Sequence, residues 1–248
     1  MKIVAITQAR VGSTRLPAKV LKRIQDKTLL QIHLERILKS KLIDDLIVAT
    51  THETGVDQIC QITELVGAKC FKGSTDDVLD RFYQSVKGFG VDWVIRLTSD
   101  CPLIDPDLID EVVNLALESD ADYCANILIE NFPDGQDIEV FKMSALERAW
   151  REATSKSDRE HVTPYIRSNT DFKGGNIFKG VNYNAPSNFN KIRMTVDEPA
   201  DFEMMAWLIE SLGTGKSWLE YTEFMLQNPD HLVNADIIRN EGYLKSKD

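Results

Sequence analysis

Apolar residues recur along this chain in two alternating rhythms. Ile3 to Ile6 is a short apolar run with the β-branched content of a buried strand. Within Leu29 to Leu38, apolar side chains at Leu30, Leu34, Ile37 and Leu38 fall on one helical face. Leu46-Ile47-Val48-Ala49-Thr50 reads as a second strand, Val56 to Val66 as a helix closed near Gly67, and Lys69 to Phe71 as a short third strand. Ser74-Thr75-Asp76-Asp77 supplies a cap and first-turn acids to a helix that buries Val78, Leu79, Phe82 and Val86. Trp93 to Leu97 is the fourth strand. Strands alternating with helices of this length predict an α/β fold, a mainly parallel sheet with helices on both faces. Ligands of such sheets bind outside the carboxyl ends of the strands.

Polar chemistry gathers at those ends. Gln8 to Gln25 holds five cations (Arg10, Arg15, Lys19, Lys22, Arg23) and no acid, with a Gly-Ser-Thr turn inside and Pro17 to stiffen it. Bare N–H groups beside guanidinium and ammonium groups suit a polyanion such as a triphosphate. A solvated basic turn has the same composition, but the position after a strand and the acids downstream favour the anion site. Asp100, in Thr98-Ser99-Asp100-Cys101-Pro102-Leu103, follows the fourth strand. It suits either Mg2+ against phosphate oxygens or the cap of a helix starting near Pro106. Asp105, Asp107 and Asp110 read as charges at that helix's N-terminus.

Further on the alternation loosens. Between about 125 and 190 a β-rich excursion is expected, with a turn at Asn131 to Asp137 and a strand from Ile138 to Phe141. Gln136, Asp137 and Glu139 have the planar polar groups that bind sugar hydroxyls, and equally those of an ordinary turn and strand edge. Ser157 and Glu160 are in register for a capping box, and Arg159 and His161 lie beside them. Arg193 to Asp197 predicts a short strand, Pro199 opens a helix, and Asp201 suits capping it as well as a metal. Trp218 to Lys247 reads as outer helices. Gly213-Thr214-Gly215-Lys216-Ser217 imitates a phosphate-binding loop, but position 210 is Glu210 where that motif needs glycine, and a helix precedes it.

Composition narrows the functional classes. A net charge of -10 argues against nucleic acid as a partner, since that needs a broad basic face. The apolar runs are too short to span a membrane, and a cytoplasmic protein is expected. The four cysteines and four histidines form no zinc-binding spacing, and Cys101 reads as a small buried thiol. With 43% hydrophobic residues, the 248 residues form a single domain in this reading.

The run Ala9-Arg10-x-Gly12-Ser13-x-Arg15-Leu16-Pro17-x-Lys19 resembles the signature of the sugar cytidylyltransferases. That group includes the CMP-sialic acid and CMP-Kdo synthetases and the spore coat polysaccharide biosynthesis protein F family, to which the chain is most similar through about residue 210. Asp100-Cys101-Pro102-Leu103 resembles its Asp-x-Pro-Leu motif, Asp134 to Phe141 its acceptor-sugar segment, and Val196 to Asp201 its Val-Asp-x-Pro-x-Asp element. The resemblance implies a three-layer fold like that of GT-A glycosyltransferases and a homodimer. It implies CTP held by Ala9, Arg10, Gly12, Ser13, Arg15, Lys19 and Ser99, with Arg10, Lys19 and Asp100 catalytic. Asp100 and Asp197 would hold Mg2+, while Gln136, Asp137, Glu139, Arg159, His161 and Arg193 would meet a small sugar. Cytosine rests on the resemblance alone. A sugar 1-phosphate nucleotidyltransferase, a GT-A-type glycosyltransferase and a non-catalytic nucleotide binder remain alternatives.

Overall fold

In the computed structural model, which describes residues 1–13, 15–237 and 239, the chain opens with β1 (Ile3–Gln8). A basic loop and a 3-10 turn at Lys19–Leu21 lead to the hairpin β2 (Arg23–Ile24) and β3 (Lys27–Thr28). Then come α1 (Leu29–Ile37), β4 (Asp45–Thr50), α2 (Val56–Leu65), β5 (Lys69–Lys72), α3 (Val78–Val86) and β6 (Trp93–Thr98). The second half contains α4 (Pro106–Glu118), β7 (Tyr123–Ala125), β8 (Glu139–Lys142), α5 (Met143–Glu152), α6 (Lys156–His161) and α7 (Pro164–Ser168). β9 (Gly180–Asn182), α8 (Pro199–Leu212) and α9 (Trp218–Gln227) complete it.

The seven-stranded sheet has the order β5-β4-β1-β6-β8-β7-β9. β8 runs antiparallel to both neighbours, and every other pair is parallel. β1 and β6 are apolar on both faces because both faces are covered. Ile3 and Ala5 pack with α1, α2 and α4, whereas Val4 and Ile6 pack with α3 and α5. A third apolar cluster joins Leu29 and Ile32 of α1 to Met204, Met205 and Leu208 of α8 and Tyr221 of α9. Gln8 pairs with Thr98, so β1 and β6 end level and release their loops side by side. That register places the site.

Three sequence expectations change. The stretch between 125 and 190 is not β-rich: α5, α6 and α7 outweigh the short strands β8 and β9 there, and turns and loops make up most of the rest. Ser155, not Ser157, caps α6 by accepting the Asp158 N–H at 3.0 Å. Residues 193–197 form no strand, since their only ladder pairing is a single bridge from Arg193 to Asp134. The false phosphate loop is the end of α8, where Gly213 turns with φ 71° and Arg36 holds the carbonyls of Thr214 and Lys216. Of the expected outer helices α9 is present, and 240–247 lie outside the described residues.

Candidate active site

A cleft of about 760 Å³ opens at the carboxyl ends of β1 and β6. Its lip is the basic loop, closed by its own backbone. The Ala18 N–H donates to the Val11 carbonyl at 3.2 Å, and the Leu16 N–H to Ser13 Oγ at 3.4 Å. Ala18 is left-handed (φ 51°), and this reversal starts the Lys19–Leu21 turn. Lys19 consequently points back into the cleft, where its Nζ donates to Asp100 Oδ2 at 3.1 Å and to Asp197 Oδ1 at 2.6 Å. Arg15 reaches Asp197 Oδ2 at 3.2 Å and Glu198 at 3.4 Å.

Asp100 lies in a tight turn after β6, closed by the Cys101 N–H donating to the Thr98 carbonyl at 3.1 Å. The Asp100 carbonyl accepts the Val196 N–H at 2.8 Å and the Thr195 hydroxyl at 3.2 Å. This stitch carries Asp197 alongside Asp100, although 97 residues separate them in the chain. Burial alone would raise the Asp100 carboxyl. Lys19, the Thr98 hydroxyl and the residue's own N–H outweigh burial and hold it well below the usual carboxylate range. Burial would lower Lys19, but Asp100 and Asp197 keep its ammonium above its ordinary value. The cleft centre therefore holds an ionised Asp100–Lys19 pair, with Asp197 on the other side of the ammonium.

Beneath it, Arg193 is nearly fully buried. It pairs with Asp134 at 2.6 Å and with both Asp201 oxygens at 2.8 and 2.9 Å. Asp201 also accepts the N–H groups of Asp197 and Glu198, so it caps α8 with its oxygens fully engaged. Asp137 is held by Arg239 at 2.7 Å. Burial pushes Asp134 and Asp137 above the carboxylate range despite their arginines. At the far end, α6 brings His161, Lys156 and Glu160 to the wall, near Arg96 of β6. Burial lowers the His161 imidazole, against the pull of Glu160.

The structure brings together in this cleft most of the residues expected there. Ala9, Arg10, Gly12, Ser13, Arg15, Lys19 and Ser99 line its basic-loop side. Asp100, Asp197 and Arg193 line its centre, with Asp137 and His161 beyond. Three expected sugar contacts lie elsewhere. Gln136 is a buried plug that donates to the Leu103 carbonyl and accepts the Asp105 N–H, each at 3.0 Å. Glu139 is buried against Arg96 and the Tyr123 hydroxyl. Arg159 grips Asp77, the cap of α3, and the Trp150 carbonyl. All three have hydrogen-bonding groups committed inside the fold.

Sequence reading missed Arg96, Asp134, Lys156 and Glu160, which also line the cleft. Arg96 had a signal, a lone cation inside the apolar run Val94-Ile95-Arg96-Leu97. Lys156 had none.

Comparison with known proteins agrees with this geometry. Residues 4–223 match the family model described as cytidylyltransferase. An uncharacterised protein of Methanocaldococcus jannaschii is 44% identical over 207 residues, 82% of either chain. The spore coat polysaccharide biosynthesis protein SpsF of Bacillus subtilis is 32% identical over 237 residues, 92% of this chain and 95% of its own. A cytidylyltransferase structure from Leptospira borgpetersenii superposes with a TM-score of 0.89 at 33% identity, covering 96% of this chain and all of the other. With its family model spanning most of the length and the cleft at its expected strand ends, the chain belongs to the cytidylyltransferase family.

Proposed function

We propose that this protein transfers CMP from CTP to a hydroxyl of a small sugar acid, releasing pyrophosphate, in the synthesis of a surface polysaccharide. The observation that carries the reading is Lys19, held between Asp100 and Asp197 beside a loop of arginines and bare N–H groups. Two carboxylates within reach of one cation suit Mg2+, which takes one or two protein carboxylates and completes its shell with phosphate oxygens and water. Mg2+ on Asp100 and Asp197 would neutralise α-phosphate charge and acidify the attacking hydroxyl.

The remaining work is positioning and charge neutralisation. Arg10, Arg15 and the Gly12–Ser13 backbone would grip the outer phosphates. Lys19 would sit where negative charge grows as pyrophosphate departs. At the far end, Lys156, Arg96 and His161 offer donors to an acidic acceptor.

The test is pyrophosphate release, with CTP, UTP, ATP and GTP each offered against sugar acids and sugar 1-phosphates. Release with CTP and a sugar acid supports the reading, whereas release only with a sugar 1-phosphate replaces the acceptor. A glycosyltransferase would release none. We expect Asp100→Asn to lower kcat at least about 100-fold with the fold intact; near-normal turnover would remove Asp100 from the mechanism.

A further inference from the structure

We propose that His33 is a positioning residue for Asp100, acting through the Cys101 carbonyl; its consequence for metal rests on the function proposed above. His33 lies on α1 with no exposed surface, between the buried Ile32 and Leu34 in sequence. A buried imidazole is costly unless both ring nitrogens are satisfied. Here both are. Nδ1 is 2.8 Å from the Cys101 carbonyl, and Nε2 is 3.0 Å from the Thr7 hydroxyl. A carbonyl only accepts, so Nδ1 carries the proton and Nε2 accepts from Thr7.

One bond ends on β1 and the other in the turn that follows β6, the two strands that frame the cleft. Thr7 is in β1, one residue before the basic loop begins at Gln8. Cys101 closes the turn that carries Asp100. The turn is held on its other side by residues 195–196, through the Asp100 carbonyl. His33 thus fixes the exit of a turn whose centre is already fixed, leaving the Asp100 carboxylate little freedom. The same helix packs Leu30 and Leu34 into the cluster containing Val20, beside Lys19. One helix therefore references both partners of the Lys19–Asp100 contact.

His33→Leu and His33→Asn separate positioning from packing. They have the same number and branching of side-chain heavy atoms, but only Asn keeps an N–H near the Nδ1 position to donate to Cys101. Two readouts are needed: hydrogen exchange of peptides spanning 98–104, and calorimetric affinity for CTP with Mg2+ and with EDTA. His33→Leu should speed exchange in 98–104. It should weaken Mg-CTP binding and kcat by about 10- to 100-fold, as loss of groups that orient metal ligands does. Binding of CTP in EDTA should change less than about twofold, and His33→Asn should restore most of both readouts. Unchanged exchange in 98–104, or equal losses with Mg2+ and with EDTA, would overturn the proposal. Should His33→Leu not fold, His33→Met, which also has no N–H for the Cys101 carbonyl, takes its place. Asp100→Asn is the parallel control. If it leaves Mg-dependent affinity intact while His33→Leu loosens the turn, the metal role of Asp100 falls and the positioning role stands.

Discussion

Lys19 solves a problem that burial creates for a carboxylate at the centre of the cleft. Burial would drive the Asp100 carboxyl toward protonation; with Lys19 held against it, Asp100 stays ionised far into the acid range. His33 is the opposite case, a group kept neutral. Burial holds its pKa at about 4, with Asp100 pulling up and Arg36 pushing down. The folded imidazole therefore resists a proton that the unfolded chain accepts near its ordinary value of about 6.5. Stability linked to His33 is complete above that value, falls as pH drops toward 4, and is level below it. The full swing is about 3 kcal/mol. Denaturant unfolding of wild type and His33→Asn across that interval isolates it from the other titrating groups. The wild-type advantage should grow with pH by roughly that amount, and parallel curves would show that the ring is not buried neutral.

Among the elements, the turn at 131–137 and the segment at 192–197 hold each other. The Asp134 N–H donates to the Ile192 carbonyl at 2.9 Å, and the Met194 N–H to the Asp134 carbonyl at 2.6 Å. Gly135 makes this closeness possible: its φ is +106°, and a Cβ there would lie 2.6 Å from the Met194 carbonyl carbon. Gly174 has a comparable φ of +83° but open space around it. Gly135→Ala should therefore cost at least about 2 kcal/mol more than Gly174→Ala in urea unfolding, since both share the backbone strain and only one adds a backbone clash. Equal costs would mean that the two segments are not in contact. The same interlock explains a misread strand. Arg193 to Asp197 has the residue pattern of a strand, but its N–H groups donate to the turns at Asp134 and Asp100. Similarly, Ser155–Asp158 and Ser157–Glu160 are equivalent capping signals in sequence, and the path of the chain selects the first. Gln136 and Glu139 have sugar-binding side chains by type. Burial, which no local pattern reports, commits them to the interior.

Over the whole molecule, the basic loop was legible because its charge opposes everything around it. A chain of net charge -10 places five cations and no acid between Gln8 and Gln25. The acids that meet this loop were legible one at a time, as carboxylates following apolar runs. Their convergence was expected from the strand-end rule and the family resemblance, but the contacts that bring it about were not, because they depend on the level ends of β1 and β6 and on the stitch from Asp100 to Val196. This charge layout sets two effects against each other for an anionic nucleotide. The molecule as a whole repels it, while Arg10, Arg15 and Lys19 attract it locally. Acids more than about 10 Å from the ligand are largely screened at ordinary ionic strength, whereas cations in direct contact are screened much less. Local attraction should therefore dominate. Raising salt from about 20 to about 200 mM should weaken CTP binding several-fold, the direction expected of a site that focuses anions. Arg15→Gln should flatten that salt dependence. Tighter binding at high salt would mean that global repulsion governs access and that the basic loop is not where the phosphates lie.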